Sequence, residues 1–125
     1  MPEGDGPSDR SGARGPLPQA TAPAADLEPT EYELRLFARI VLHLGREGPR
    51  ASGGSAPETL TQAGIASSLG TSQANTSYAL RRLIDGGAVR GEREHVHGRR
   101  QRVLVYRLTE EGAALARHIR EGLGR

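Results

Sequence analysis

The stretch that most constrains the fold is Leu60–Val89, LTQAGIASSLGTSQANTSYALRRLIDGGAV, because it dictates two short helices hinged at Gly70. Thr61 can cap a helix over Gln62–Leu69, with Ile65, Ala66 and Leu69 turned inward. Gly64 weakens that helix by about 1 kcal/mol relative to Ala, so tertiary packing must hold it in place. Gly70 follows as a left-handed C-cap, a conformation that glycine adopts cheaply. Ser72 or Thr71 then caps a second helix that ends at Gly86-Gly87. Thr76, Ala79, Leu80, Leu83 and Ile84 recur at helical steps and form its inward face, while Ala74, Asn75, Ser77, Tyr78, Arg81, Arg82 and Asp85 lie outward. A helix with two such different faces packs on one side and presents the other.

The flanking elements follow from periodicity. Thr30 and Glu33 have the spacing of a capping box, and a helix follows in which Leu34, Phe37, Val41 and Leu44 repeat, widened by Leu36, Ile40 and Leu42. Its polar residues Tyr32, Arg35, Arg39, His43 and Arg46 occupy one narrow sector, which leaves more apolar surface than one small core requires. A homodimer interface is the preferred explanation; burial within a better-wrapped monomer is the other. Gly45 and Gly48 break this helix, and residues 45–59 are expected as a flexible surface loop. After Gly87, Val89–Val96 and Arg102–Leu108 read as two strands joined around His97-Gly98-Arg99-Arg100, with Leu104, Tyr106 and Leu108 on one face. Thr109 caps a last helix, Glu110 to about Leu123, in which Leu115, Ile119 and Leu123 repeat every four residues. The expected fold is α+β and mostly helical, over residues 30–123.

Residues 1–29 hold six of the eight prolines and few large apolar side chains. They cannot bury enough surface to offset their ordering entropy and are expected as a disordered tail, more simply a dispensable leader than a binding arm. The formal charge of +2 hides a division along the chain. Residues 1–29 carry two Arg against five acids, a balance of −3. Residues 71–108 carry eight Arg against three acids, a balance of +5, and such clustering suits a polyanionic partner or, more plainly, a solvated basic face. All seventeen basic residues are Arg, in the tail and outer helices as well, so coding bias explains the missing Lys better than function does.

Several chemistries are excluded. Without cysteine there are no disulfides, zinc fingers or thiol catalysis. There is no P-loop, and no paired carboxylates or nucleophile elbow, so no enzymatic function is expected. Glu92 and Glu94 sit among arginines, where salt-bridging is the simpler reading. His95 and His97 share a strand face, but two histidines without an adjacent carboxylate or cysteine form a weak metal site, and they read better as polar wing residues. No cofactor is expected. With no apolar run near membrane length and no signal-like start, no membrane partner is expected and the location is expected to be cytoplasmic.

The order helix, helix, turn, helix, two-stranded hairpin, helix carries a resemblance. Leu60-Thr61-Gln62, Ile65-Ala66, Leu69-Gly70, Ser72, Ala79-Leu80, Leu83, Gly87 and Val89 resemble the helix-turn-helix of winged-helix regulators of the MarR (multiple antibiotic resistance regulator) type. The basic hairpin, then Val105-Tyr106-Arg107-Leu108-Thr109 and Gly112, resembles the wing of the same family. The likeness covers about Leu60 to Gly112. Thr71 and Thr76 stand where the family places apolar residues, Gly64 interrupts the second helix, and the C-terminal helix is shorter than the terminal helices through which the family commonly dimerises. These departures are expected to lower stability and to bear on dimerisation and effector sensing.

The resemblance implies a winged helix-turn-helix protein binding double-stranded DNA as a sequence-specific transcription regulator, and a homodimer joined through the first and last helices. A recognition helix at about 72–85 would enter the major groove, where its N-terminal residues reach base edges. Ser72, Gln73, Asn75, Ser77 and Tyr78 would occupy that position, with Gln73 and Asn75 able to pair bidentately with adenine. Arg81 and Arg82 would clamp phosphates, and Thr61 would donate to another. In the basic wing, residues 95–102, His97, Arg99, Arg100 and Arg102 would follow the adjacent backbone or minor groove. A small-molecule effector is compatible with the resemblance, though nothing indicates one. The alternative is a winged helix that docks on another protein in a larger assembly without sequence-specific DNA binding; the basic and polar outward face favours DNA, since protein-docking faces are more apolar and aromatic.

Overall fold

Helix α1 (Glu31–Glu47) opens on Glu31 and Glu33 and closes on Arg46, the charge order that a helix dipole favours. The computed structural model describes residues 28–50 and 54–123, so the tail expected over 1–29 lies outside the described residues apart from positions 28 and 29. Leu36, Ile40, Val41 and Leu44 are buried along α1 and form one wall of the core. Gly45 does not end the helix as expected. A Cβ there would lie 3.5 Å from Leu108 Cδ1 and 3.6 Å from Ala116 Cβ, so packing across this seam sustains the helical turn, and a 3-10 turn follows at Gly48–Arg50. His43, assigned to the polar sector, is also buried. Its Nε2 stands 2.8 Å from the Thr59 carbonyl oxygen, and since a carbonyl only accepts, Nε2 carries the proton. Thr59 Oγ1 in turn donates to Glu47 at 2.8 Å.

The loop expected over residues 45–59 is structured in its second half. Ala56 is buried and exchanges backbone hydrogen bonds with the hairpin: its N–H donates to His95 O at 2.8 Å, and its carbonyl accepts from His97 N–H at 3.1 Å. A 3-10 turn at Glu58–Leu60 then leads into α2 (Gln62–Leu69). Thr61 caps α2 by accepting from the Gly64 N–H at 3.0 Å. Gly64 proves to be a requirement of this packing, since a Cβ at that position would sit 2.1 Å from the Glu58 carbonyl oxygen. Gly70 closes α2 in the left-handed region at φ 68°, as its sequence position predicts. Arg39 of α1 donates to the Leu69 carbonyl at 2.6 Å, placing a cation at the negative end of α2.

Helix α3 (Gln73–Asp85) takes its cap from Ser72, whose Oγ accepts from the Asn75 N–H at 3.0 Å. Thr76, Ala79, Leu80 and Leu83 are buried. The hydroxyl of Thr76 donates to the Ser72 carbonyl at 2.8 Å, which satisfies a polar group at a fully enclosed position. Ile84, expected inward, is 40 % exposed instead, because it lies at the edge of the buried stripe where the helix faces the hairpin.

Strands β1 (Val89–Glu94) and β2 (Val103–Leu108) pair antiparallel, with Val89 opposite Leu108, Gly91 opposite Tyr106 and Arg93 opposite Leu104. The ladder is shorter than expected because Val96 leaves it to pair with Ala56. Partners in register share a face, so Gly91, Arg93, Leu104 and Tyr106 lie on one side and Glu92, Glu94, Val105 and Arg107 on the other. Adjacent Val105 and Tyr106 are both buried, so both sides of β2 are covered at that point. Helix α4 (Glu110–Leu123) is capped by Thr109, whose Oγ1 accepts from Gly112 N–H at 3.0 Å. Its packing face differs from the expected leucine repeat. Leu115 is 38 % exposed, whereas Gly112 and Ala116 are buried. A Cβ at Gly112 would come within 2.0 Å of the Ala88 carbonyl oxygen, so the first turn of α4 lies on bare backbone and only small residues fit beneath it. The described residues form a winged helix-turn-helix: three α-helices, an antiparallel two-stranded wing and a closing helix.

Candidate nucleic-acid interface

The outward side of α3 divides into a centre and two flanks. At about 3.6 residues per turn, Ala74, Tyr78, Arg81 and Asp85 lie opposite the buried stripe. Asn75 and Arg82 fall on one flank, and Gln73, Ser77 and Ile84 on the other. The centre is exposed, with Tyr78 at 39 %. Arg82 donates through Nη1 to the Tyr78 hydroxyl at 2.8 Å, and its guanidinium carbon lies 5.7 Å from the ring centroid, so the pair forms one stiffened unit. The flanks are tied to neighbouring helices. Asn75 Nδ2 donates to the Tyr32 hydroxyl of α1 at 3.2 Å, and Gln73 Oε1 accepts from Gln62 Nε2 of α2 at 3.3 Å.

Thr61 was expected to donate to a phosphate. It is buried, and its hydroxyl donates to the Glu58 carbonyl at 2.8 Å while accepting from Gly64 N–H. Capping α2 against the 3-10 turn uses the group that was expected to meet a phosphate. Ser72 and Ser77 stand on the expected helix, Ser72 exposed and Ser77 half-buried.

The arginines of the hairpin separate into two groups. Arg107 grips Glu94 through two hydrogen bonds of 2.6 and 2.7 Å, Arg90 pairs with Glu92 at 2.5 Å, and Arg99 reaches back to Glu58 through Nε at 3.0 Å and Nη2 at 2.5 Å. Hydrogen bonds from Arg107 hold the Glu94 carboxyl below the usual glutamate range, and those from Arg99 do the same for Glu58. Among the described residues, Arg93, Arg100 and Arg102 have no carboxylate partner, and all three are exposed, as is His97. Arg99 thus anchors the wing, whereas Arg100 and Arg102 present charge. A groove of about 500 Å³ runs between α3 and the wing, lined by Arg81, Ile84, Asp85, Gly91, Leu104 and Tyr106. Burial pushes the Tyr106 hydroxyl above its ordinary pKa, partly offset by the nearby Arg81 charge. Arg93 shares the strand face of Gly91 and Tyr106 and so stands on the Arg81 side of the wing.

Sequence reasoning missed Arg93 and the supporting pair Tyr32 and Gln62. Strand alternation carried the signal for Arg93 once the register was fixed. No local signal links Tyr32 to Asn75, which are 43 residues apart. Among the described residues no group of three or more His, Cys, Asp or Glu side chains has the placement to hold a metal ion.

The MarR family model matches residues 38–100, from within α1 to the tip of the wing and just over half of the chain. Among solved structures, a single-substitution mutant of Lactococcus lactis ZitR is similar at 21% identity, with 84% of this chain and 57% of that one covered and a TM-score of 0.52. A double mutant of the same protein is similar at 22% identity, covering 78% of this chain and 55% of that one, again at 0.52. A third, from Ralstonia eutropha JMP134 and named for a proposed DNA-binding role, shows 22% identity over 68% of this chain and 94% of its own, with a TM-score of 0.50. The chain therefore spans a little over half the length of the ZitR structures, and at these identities the likeness is one of fold. No curated protein sequence matches it. The family match takes in the helix-turn-helix and the first strand of the wing, and the chain belongs to the MarR family.

Proposed function

We propose that this protein is a sequence-specific regulator of transcription that binds double-stranded DNA, with α3 in the major groove and the wing on the adjacent backbone or minor groove. The observation that carries this reading is the division of α3. Its inner stripe is wholly engaged in the core, while Gln73, Asn75, Tyr78 and Arg81 are exposed beside a wing whose Arg93, Arg100 and Arg102 have no carboxylate partner among the described residues. Base contacts come from the first turn of such a helix and phosphate contacts from cations around it. Membership of the MarR family and the DNA-binding role proposed for the similar Ralstonia protein support it. The functional unit is a homodimer formed through α1 and α4. Leu34 at 53 % and Leu115 at 38 % exposure leave apolar surface on these two helices for a second copy. Among the described residues no helix is long and apolar enough to cross a membrane.

The test is duplex binding by fluorescence anisotropy across a range of salt concentrations. Wild type is expected to bind with a steep salt dependence, and the R81A/R82A double variant to bind at least about tenfold more weakly with the slope shallower by about 1.8, since each phosphate contact contributes about 0.9. Circular dichroism checks that the variant is folded. Absence of duplex binding by wild type at low salt would sink the proposal and favour a protein-docking winged helix.

A further inference from the structure

We infer that the groove between α3 and the wing seats one phosphodiester of the DNA backbone, with the Tyr106 hydroxyl donating to a phosphate oxygen and Arg81 and Arg93 supplying the charge. This rests on reading α3 as the recognition helix and deepens it: with α3 in the major groove and the wing on the adjacent backbone, the strand between them passes over this cleft. Tyr106 is 8 % exposed, yet its hydroxyl has no hydrogen-bond partner among the described residues. A tyrosine buried to this degree ordinarily spends its hydroxyl on a neighbour. Here the side chain lines the groove of about 500 Å³, and Gly91 stands opposite it across the ladder. A Cβ at Gly91 would lie 3.6 Å from Tyr106 Cε1 and 3.2 Å from Leu104 Cδ1, so any side chain there would cover the edge of the ring. Glycine leaves it open.

Burial pushes the hydroxyl above the ordinary tyrosine pKa, so it keeps its proton at neutral pH and is available as a donor. The exposed Arg81, on the α3 wall of the same groove, partly offsets that rise, so the phenolic oxygen lies within the field of its charge. Arg93 shares the strand face of Tyr106 and stands opposite Leu104, and no carboxylate pairs with either arginine among the described residues. Asp85 also lines the groove, one turn past Arg81, where α3 runs out towards β1. An anion is therefore favoured at the other end, towards Arg81 and Arg93. The rest of the lining, Ile84, Gly91 and Leu104, is apolar. A donor between two cations over an apolar floor suits a sugar-phosphate strand, whose anionic oxygens answer the hydroxyl and guanidinium groups while deoxyribose carbons rest on the floor. A purely apolar partner would leave the hydroxyl unanswered, and a cationic one would meet two arginines.

The experiment uses the full chain, a duplex selected by wild type from random DNA, and the same duplex carrying an uncharged methylphosphonate at one phosphate at a time. Y106F removes only the hydroxyl. Because that group has no partner in the free protein, the melting temperature is expected to hold or rise. Affinity should fall by about tenfold for every sequence alike, the effect of one hydrogen bond to a charged group. The salt slope should not change, since a neutral donor releases no counterion, whereas R93A should weaken binding with the slope shallower by about 0.9. At one phosphate, methylphosphonate and Y106F together should cost less than the sum of their separate losses, and at distant phosphates the losses should add. If wild type binds its selected duplex and Y106F binds as tightly, if no single phosphate is coupled to Y106F, or if R93A keeps the wild-type slope, the inference fails and the assignment of α3 survives. A lowered melting temperature in Y106F, or a change in its preferred base, would also overturn it, by giving the hydroxyl a structural or a base-reading role. A wild type that binds no duplex would overturn both.

Discussion

The first turn of α3 and the tip of the wing use polar side chains in opposite ways. On α3, each flanking amide is held by a residue from another helix, Asn75 by Tyr32 and Gln73 by Gln62. In the hairpin connection, Arg100 and Arg102 have no carboxylate partner among the described residues, while their neighbour Arg99 clasps Glu58 and Arg107 clasps Glu94 at the loop end of the ladder. On the proposed function α3 reads base edges, which demands orientation within about a few tenths of an ångström, and its two flanking amides are already restrained in the free protein. Neutralising a phosphate demands charge at about the right distance, so long side chains left to search are sufficient.

The most damaging way to break this contrast is to remove the support common to both regions. Gly64→Ala places a Cβ against the Glu58 carbonyl, unseating α2 from the turn that also anchors Arg99. The expected loss is about 3 kcal/mol of stability, seen in a thermal melt as a fall of roughly 10–20 °C. A melt within about 2 °C of wild type would show that the turn yields and that the close approach is not a constraint. R100A/R102A sharpens the contrast from the wing. Affinity should drop by about tenfold or more for every duplex alike, with the salt slope reduced by about 1.8 and base preferences intact. A change in preferred sequence would mean that the tip reads bases after all.

The smallest effect concerns the pair of Glu94 and Arg107 across the wing. Glu94 is held below its ordinary pKa by Arg107, so the folded state binds its proton less readily than the unfolded chain. The associated stability is present above the unfolded glutamate pKa and is lost as pH falls through the lowered folded value. With both side chains about one-fifth exposed, the contribution is about 1 kcal/mol or less. Melts of wild type and E94Q between neutral and acid pH should converge at the acid end. A constant gap would show that the pair does not titrate as described.

How much of this was legible in the sequence depends on how local the cause was. The hinge, the caps at Thr61 and Thr109, the left-handed Gly70 and the bounds of α2 follow from neighbouring residues and stand as expected. Where several elements meet, local reasoning failed. Gly64 and Gly112 are small because distant backbone lies against them, and Gly45 stays helical because α4 packs across it. His43 counted as polar surface until the Thr59 carbonyl came within reach. In the candidate interface, charge counting located the basic segment but not which arginines were already paired. Arg99 and Arg100 are adjacent in sequence, and only the folded position of Glu58, 41 residues upstream of Arg99, separates their roles.

The pairing of Ala56 with the strand end at Val96 carries a consequence for the proposed DNA complex. Together with the Arg99 clasp it ties the connection of the hairpin to the segment that launches α2, so on the proposed function wing and α3 would act as the two arms of a stiff caliper. A caliper does not adapt to what it measures. On a duplex, the span between groove and backbone contacts would have to be met by the DNA itself, through local bending or a change in groove width. Steps that deform easily would then be favoured even where no side chain touches a base.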